Sequence, residues 1–386
     1  MLGRCRVCHL ATSDISLPLL VLPQVLVLKA RGYEVEMASG PGPYSEVQEF
    51  AGVPVRRVPL SRRVVPLTDI LALLTLIRLF NKGRYGIVHV HTPKAILLGQ
   101  VAAKLAGVPY VVNTTHGLYV PGSWGAFKKR IYFLAERFAS LWTDVIFSVN
   151  HEDLKTMERE GIGRKARRIF LGNGIDVGTF QPGKGDRAGI RSSLGIPPDA
   201  PVVGIVGRLI REKGYLELFE AMVRVREAVP KAWLLVIGPE EPEKGDAVGR
   251  GDARKAGLAD QVVFTGCRED TVDLYSAMDV SCLPSHREGF PRTVMEASAM
   301  GLPVVSTDVR GCREAVENGV TGLLVPVKDP SALADALLTL LRSPDLRTKM
   351  GLAGRAKAAR DFDERRVFET VARTYEELLG RNPCNQ

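Results

Sequence analysis

The chain has 386 residues, 45% of them hydrophobic and 25% charged, and a formal net charge of +9. That composition is globular and excludes disordered or fibrous classes, while the length exceeds one ordinary core, so two domains of about 100–200 residues are expected. The charge is unevenly placed: residues 1–190 carry 25 Lys/Arg against 14 Asp/Glu, a net +11, and residues 191–386 carry 27 against 29, a net −2. A basic half beside a near-neutral one implies that one domain faces something anionic: nucleic acid, an anionic membrane or a phosphorylated acceptor.

The start, MLGRCRVCHLATSD, lacks the sustained apolar core and small-residue cleavage site of a signal peptide. Cys5 and Cys8 have C-x2-C spacing, yet they lie in an apolar run that reads as a first strand with no second pair nearby. Buried reduced thiols are therefore expected there, in preference to a zinc or redox site. The apolar stretch ISLPLLVLPQVLVLKA is broken by Pro18, Pro23 and Gln24, and VVPLTDILALLTLIRLF carries Asp69 and Arg78. A spanning helix needs about 20 apolar residues, so neither is expected to cross a bilayer.

Strands are expected at YEVEMAS, YGIVHVH, PYVVNTT and DVIFSVN in the first half. In the second half they are expected at PVVGIVGRL, AWLLVIG, QVVFTG, VSCLPS and PVVSTD. Amphipathic segments such as AILLGQVAAKLAG and EKGYLELFEAMVRVREAV lie between them. Alternation of helices with near-continuous apolar strands indicates parallel sheets covered on both faces, and there are enough units for two doubly wound α/β domains. The break is placed near FQPGKGDRAGIRSSLGIPPDAP, rich in Gly, Pro and charge. Ligands of open α/β sheets bind beyond the carboxyl ends of the strands, so the cleft between two such domains is the expected site.

In GIVGRLIREKG, Gly204 and Gly207 permit close backbone approach, and Arg208 and Lys213 place two cations at a strand end and near a helix start. Both can converge on a diphosphate, Arg208 as a planar fork and Lys213 as a point charge. Surface charge, with Arg208 paired to an acid, is the competing explanation. In SHREGFPRTVMEASAMG, Pro291 suits a first helical position, and the amides of Phe290, Arg292 and Thr293 are free to meet phosphate oxygens at a helix start. Glu296 can then accept the vicinal hydroxyls of a ribose, with Glu288 near a sugar attached to the phosphate.

These segments resemble the retaining GT-B glycosyltransferases of family 4, also called glycosyl transferases group 1. The pair Glu288 and Glu296 looks like that family's E-x7-E signature, GRLIREKG like its diphosphate-binding stretch, and STDVRGCREAVENGVTGLLVPVKDPSALADAL like the segment that follows. HVHTPKAILLGQVAAKLAGVP and TTHGL resemble the capsule and O-antigen branch, which builds lipid-linked oligosaccharides. The resemblance implies two doubly wound Rossmann-like domains facing each other across a cleft. Residues 1–185 would bind the acceptor and residues 195–360 the nucleotide sugar, with a C-terminal helix over 361–386 packing back on the first domain. It further implies that Gly207, Arg208, Lys213, Phe290, Pro291, Arg292, Thr293 and Glu296 hold the donor, and that His116 and Glu288 are catalytic. Acceptor-side candidates are Ser13, Ile15, His91, Thr92 and Lys94. ATSDISLP stands where many relatives have a glycine-rich loop, which leaves Ser13 and Ile15 less well supported.

The implied reaction moves a hexose or N-acetylhexosamine, UDP-linked by family habit, to a saccharide on a lipid carrier such as a polyprenyl diphosphate. The implied place is cytoplasmic and peripheral, on the inner face of the cytoplasmic membrane, against anionic lipid. A nucleotide-sugar epimerase of the same architecture is the alternative. No cofactor or metal is expected, because Arg208 and Lys213 can neutralise the leaving diphosphate. His89 and His91 share a strand face but have no third clustered ligand in sequence, and Asp361-Phe362-Asp363 reads as a helix cap. Phe127, Ile131, Leu134, Phe138 and Leu141 form a helical stripe that is most simply core. Lys128, Lys129, Arg130 and Arg137, with Phe133 off the stripe, suit lipid headgroups as an additional role. No nucleic-acid motif or dedicated aromatic platform appears, so nucleic acid is not an expected partner.

Overall fold

A computed structural model describes residues 5–381 except 62, 64, 119, 121–123, 244 and 259. Two compact units emerge: one runs to Leu171 and is rejoined from Val367 onward, and the other spans Gly172–Arg366. In the first unit the chain passes through β1 (Arg6–Ala11), α1 (Leu22–Ala30), β2 (Glu34–Ser39), β3 (Glu49–Phe50), β4 (Val53–Arg57) and α2 (Pro66–Gly83). It continues through β5 (Ile87–His91), α3 (Pro93–Leu105), β6 (Tyr110–Thr115), α4 (Ala126–Ala139), β7 (Val145–Ser148), α5 (His151–Glu160) and β8 (Arg167–Phe170). These strands form one sheet in the order β3-β4-β2-β1-β5-β6-β7-β8, parallel except for the β3–β4 pair.

The second unit contains α6 (Arg187–Ser193), β9 (Val202–Val206), α7 (Tyr215–Ala228), β10 (Trp233–Ile237), α8 (Arg250–Lys255), β11 (Val262–Phe264) and α9 (Thr271–Ser276). Then come β12 (Val280–Leu283), α10 (Arg292–Ala299), β13 (Val304–Thr307), α11 (Arg310–Ala315), β14 (Gly322–Val325), α12 (Pro330–Leu341) and α13 (Pro344–Asp361). Its six strands, ordered β11-β10-β9-β12-β13-β14, are parallel throughout. Each sheet is therefore entered at a central strand and extended first to one side, then the other. The reversal falls between β1 and β5 in the first unit and between β9 and β12 in the second.

The apolar runs become strands because helices cover both faces of each sheet. In the first unit one face packs Val7, Met37, Val112 and Phe147 against α1, and the other packs Cys8, Leu10, Val88 and Val90 against α2 and α3. β4 and β8 were not marked by the apolar criterion. Arg56, Arg57, Arg167 and the exposed ends of Phe170 and Pro54 belong to strands near the sheet's margins, where burial is partial. Cys5 and Cys8 are buried cysteines in or beside β1, Cys267 is exposed, and Cys384 lies outside the described residues.

The final helix, α14 (Glu364–Arg381), returns to the first unit. Val371, Ala372, Tyr375, Leu378 and Leu379 join the cluster that covers Val7, Val35 and Phe147. Ion pairs from Arg31 to Glu369 and Glu376, and from Arg167 to Glu377, flank that apolar seat. The unit boundaries differ from those read in the sequence. Residues 172–185 pack with the second unit: the Ile175 amide donates to the Phe362 carbonyl at 2.8 Å, and the Glu364 amide donates back to Ile175 at 3.1 Å. The Gly- and Pro-rich signal near residue 183 thus marks the turns before α6, not the crossing point.

A second correction concerns α4. Its stripe of Phe127, Ile131, Leu134 and Phe138, continued by Leu141, is 52–78% exposed and is not core. The inward face instead carries Phe133, packed on Leu118, Ile146 and Met157, together with the buried Glu136. Burial pushes the Glu136 carboxyl up to about 7, partly opposed by a hydrogen bond from Tyr132.

Candidate functional site

Beyond the carboxyl end of β9, Gly207 is held by its amide donating to Ile237 O at 2.9 Å and by its carbonyl accepting from the Tyr215 hydroxyl at 2.8 Å. A short 3-10 turn, Arg211–Lys213, then leads through Gly214 into α7. Gly214 has φ +76°, and a Cβ there would lie 2.0 Å from the Pro284 carbonyl oxygen. That close approach brings the turn bearing Lys213 against the end of β12. Lys213 Nζ consequently donates to Glu288 Oε1 at 2.6 Å, with both side chains largely buried. Arg208 is more exposed and lies 3.6 Å from Glu241.

The loop after β12 is anchored on both sides. The His286 amide donates to Glu212 O, its ring Nε2 lies 2.8 Å from Glu217, and Arg287 pairs with Glu212 at 2.7 Å. Phe290 packs edge-on against Phe362, and its carbonyl accepts from Asn173 at 3.2 Å. Pro291 is the N-cap of α10 in extended conformation, one place before the first helical position expected for it. Its stiffness still presets the turn, and the amides of Arg292 and Thr293 open α10, where a helix has no internal acceptor for them. Glu296, one turn farther, accepts from the Tyr275 hydroxyl at 2.9 Å and sits 3.9 Å from Arg292. Burial pushes its carboxyl above the usual range, opposed by Tyr275 and Arg292.

The second unit thus gathers Gly207, Arg208, Lys213, Glu288, Phe290, Pro291, Arg292, Thr293 and Glu296 at the carboxyl edge of one sheet, around its strand-order reversal. Cations, free helix amides and two carboxylates in that order can hold an anion between two hydroxyl-bearing groups. Sequence reading missed Tyr275 and Asn173. Their roles depend on contacts across 21 and 117 residues, for which the chain carries no local signal.

In the first unit, His116 follows β6 and is half-buried. Burial lowers its imidazole to about 4, so it is neutral near pH 7. Ser13 and Ile15 follow β1, where the Thr12 hydroxyl contacts Thr92 Oγ1 at 2.8 Å and accepts from the Ala95 amide. Thr92 has φ +69°, a sparsely populated conformation for a β-branched residue, at the junction of β5 and α3. The Lys94 ammonium is held by Asp69 at 2.5 Å. The ring nitrogens of His91 lie 3.1 Å from His9 and 3.3 Å from His116. The sequence offered no third histidine beside His89 and His91; the parallel register of β1 and β5 supplies His9, and the three have ligand atoms within 4.8 Å of one another.

Residues 186–357 match the family described as glycosyl transferases group 1, and residues 23–174 match the glycosyl transferase 4-like domain. A UDP-Gal:α-D-GlcNAc-diphosphoundecaprenol α-1,3-galactosyltransferase of Escherichia coli is 30% identical over 283 residues, covering 72% of each chain. The chain belongs to the group 1 glycosyltransferases. The capsular polysaccharide biosynthesis glycosyltransferase CapM of Staphylococcus aureus is 28% identical over 97% of each chain. The crystal structure of Anabaena HepE in complex with UDP and glucose superposes with a TM-score of 0.80 at 21% identity, over 97% of this chain and all of that one. The fold is accordingly GT-B, with two Rossmann-like domains. These relatives are transferases and give no support to the epimerase alternative.

Asp361-Phe362-Asp363, the other metal-like sequence in this glycosyltransferase, is spent locally. Asp361 is paired with Lys357 and Arg360, and Asp363 accepts from the Arg365 amide at the start of α14.

The approach of the Lys213 turn to β12 makes a stability prediction. Gly319 has nearly the same φ as Gly214, +77°, but a Cβ added there would meet nothing within 4 Å. Gly319→Ala should cost about 1–2 kcal/mol from backbone strain alone. Gly214→Ala should cost clearly more and abolish most transfer, because Lys213 must shift. Thermal denaturation of both variants is the check, and equal losses would show that the approach to Pro284 is not needed.

Proposed function

We propose that this glycosyltransferase moves a sugar, with retention of configuration, from a UDP-linked donor to a saccharide on a lipid diphosphate carrier. The observation that carries the reading is the convergence of Lys213, Glu288 and the α10 amides at the β9–β12 reversal. The name of the Escherichia coli relative supports the donor base and carrier type, and the UDP and glucose in the HepE structure support the base. Arg208, Lys213 and the α10 amides would meet the diphosphate, and Glu296, steadied by Tyr275, would accept the ribose hydroxyls. Glu288 and the neutral His116 would contact the transferred sugar. Ser13, Ile15, Thr92 and Lys94 are assigned to the acceptor side, with the buried His91 behind them, its ring nitrogens engaged by His9 and His116.

In the step itself, the bond from the anomeric carbon to the phosphate oxygen breaks as the acceptor oxygen attacks the same face. The acceptor proton passes to the departing phosphate. Positive charge grows on the sugar and negative charge on the diphosphate, so Glu288 and Lys213 answer opposite ends of the breaking bond. The Lys213–Glu288 contact keeps each charge compensated, and the donor diphosphate would compete for the ammonium.

The acceptor would be met at a peripheral site on the cytoplasmic face of the membrane. No helix among the described residues is long and apolar enough to cross a bilayer. Instead, α2 exposes Leu67, Ile70, Leu71 and Leu74, and α4 exposes Phe127, Ile131, Leu134 and Phe138. Both helices pack on α3. Exposed Lys82, Lys104, Lys128, Arg130 and Arg137 lie on the same three helices. Apolar side chains rimmed by cations suit an anionic lipid surface, each basic residue contributing about 1 kcal/mol.

Three outcomes are expected. Glu296→Gln should raise the donor KM by about tenfold or more, whereas Glu288→Gln should chiefly lower kcat, by about 10²-fold. Steady-state kinetics with saturating acceptor distinguish them, and a Glu288→Gln defect confined to KM would remove its transition-state role. Transfer should persist in excess EDTA, since cationic side chains answer the diphosphate; loss restored by manganese or magnesium would refute metal-free chemistry. In flotation assays the protein should bind anionic liposomes at low salt and release at high salt. Phe127→Ser/Leu134→Ser should weaken that binding, and equal affinity for neutral liposomes would reject the electrostatic component.

A further inference from the structure

A chain of buried polar side chains leads from the C-terminal helix to His116. β1, β5 and β6 place His9, His89, His91, Thr114 and His116 on one face of the first sheet through the pairings His9 with His89 and His91 with Thr114. Tyr375 of α14 covers that face. The contacts form a single path. Thr114 Oγ1 lies 2.6 Å from His89 Nε2, and His89 Nδ1 lies 2.7 Å from the Tyr375 hydroxyl. That hydroxyl is 3.5 Å from His9 Nε2; His9 Nδ1 is 3.1 Å from His91 Nε2, and His91 Nδ1 is 3.3 Å from His116 Nε2. Thr114, His9, His89, His91 and Tyr375 are all fully or nearly fully buried.

A neutral imidazole has one N–H and one bare nitrogen, so within each histidine the direction of one link fixes the other, while the Tyr375 hydroxyl can donate only once. Burial lowers all four histidines, His9 to about 3 and His116 to about 4, which keeps the rings neutral. Three arrangements are conceivable, and in one of them His89 and His9 both donate to Tyr375, whose own buried proton then has no acceptor among the described residues. If the donations run one way from His116 to Thr114, Thr114 ends the path as an acceptor, and its buried hydroxyl proton has no acceptor among the described residues. If Thr114 donates to His89 and the donations run onward through Tyr375, His9 and His91, every buried proton on the path finds an acceptor. An unmet buried donor costs more than a rearranged bond, so this last arrangement is favoured.

We propose that Thr114, His89, Tyr375, His9 and His91 are positioning residues that fix His116 with its proton on Nδ1, presenting an N–H to a ligand oxygen. The same path makes the seating of α14 a condition for that tautomer, since Tyr375 is its central link. Delivery of the N–H to a sugar or phosphate oxygen rests on the proposed role of His116; the tautomer itself does not. The three histidines are near enough for a metal, but each of their ring nitrogens already has a partner in the path.

The test is long-range 1H–15N correlation NMR on histidine-labelled full-length protein without substrate, with His116→Gln assigning the signals. The expected result is His116 protonated on Nδ1 in the parent chain and in Thr114→Ser, but a mixture of tautomers in Thr114→Val and Tyr375→Phe. Both valine and phenylalanine keep the buried shape, so one folded variant is sufficient. If the working tautomer falls to about one part in five and the donor binds both tautomers alike, kcat should fall about fivefold with donor KM little changed. His116 protonated on Nε2 in the parent chain would overturn the proposal, as would tautomers that survive both substitutions. Stoichiometric zinc uptake abolished by His9→Gln would also overturn it, by making the cluster a metal site. Failure of donor kinetics at Glu288 and Glu296 would instead bear on the proposed function and leave the tautomer measurement intact.

Discussion

Parallel strands buried on both faces leave no room for water along their length, and this constraint organises both units. Backbone groups are consumed by the ladder and most side chains by the two apolar layers, so charged chemistry is displaced to the strand ends. In the second unit β9 and β12 are neighbours although a long stretch of chain, holding two other strands, separates them. The chain leaves β9 toward the β11 edge of the sheet, then crosses back past β9 to enter β12 on its other side. The two loops that follow them are thereby forced together, which is how Lys213 reaches Glu288.

The Lys213–Glu288 ion pair shows how two such charges are held together at the strand ends. Two largely buried charges left alone would suffer a large loss of hydration, whereas a direct hydrogen-bonded pair compensates each. On the proposed reading a bound diphosphate would offer Lys213 more negative charge than one carboxylate does, and the ammonium would exchange one partner for another. Glu296 is treated differently. Its partners are a neutral hydroxyl and a more distant guanidinium, and burial raises its carboxyl. A carboxylate held so loosely by charge has acceptor capacity to spare for vicinal hydroxyls.

One departure from the apolar rule in the first unit lies inside its sheet. Three histidines stand inside the sheet, on a face otherwise occupied by Val7, Ile87 and Val112. They are tolerated because each ring nitrogen has a partner, and the central link is provided by α14, which arrives after the entire second unit has been traversed. On the outer layer the opposite departure occurs: α4 turns a polar residue, Glu136, inward and an aromatic-rich stripe outward. Packing of Phe133 against Ile146 and Met157 sets that rotation, and Gly125 at the N-cap imposes little of its own.

The sequence by itself determined the α/β class, most of the strands, the strand-end placement of Arg208, Lys213, His116 and Glu288, and the family. Those features are written locally, in apolar runs that end at glycine, proline or charge, and in the eight-residue spacing of Glu288 and Glu296. Partly buried strands such as β4 and β8 escaped because their arginines satisfy solvent on one side while the backbone satisfies the sheet. Only the tertiary structure decided that residues 172–185 belong with the second unit, that Tyr275 steadies Glu296, that His9 completes a buried path to His116, and which face of α4 meets solvent. Each of these depends on strand register or on a packing partner distant in the chain, and a local hydrophobic pattern contains neither.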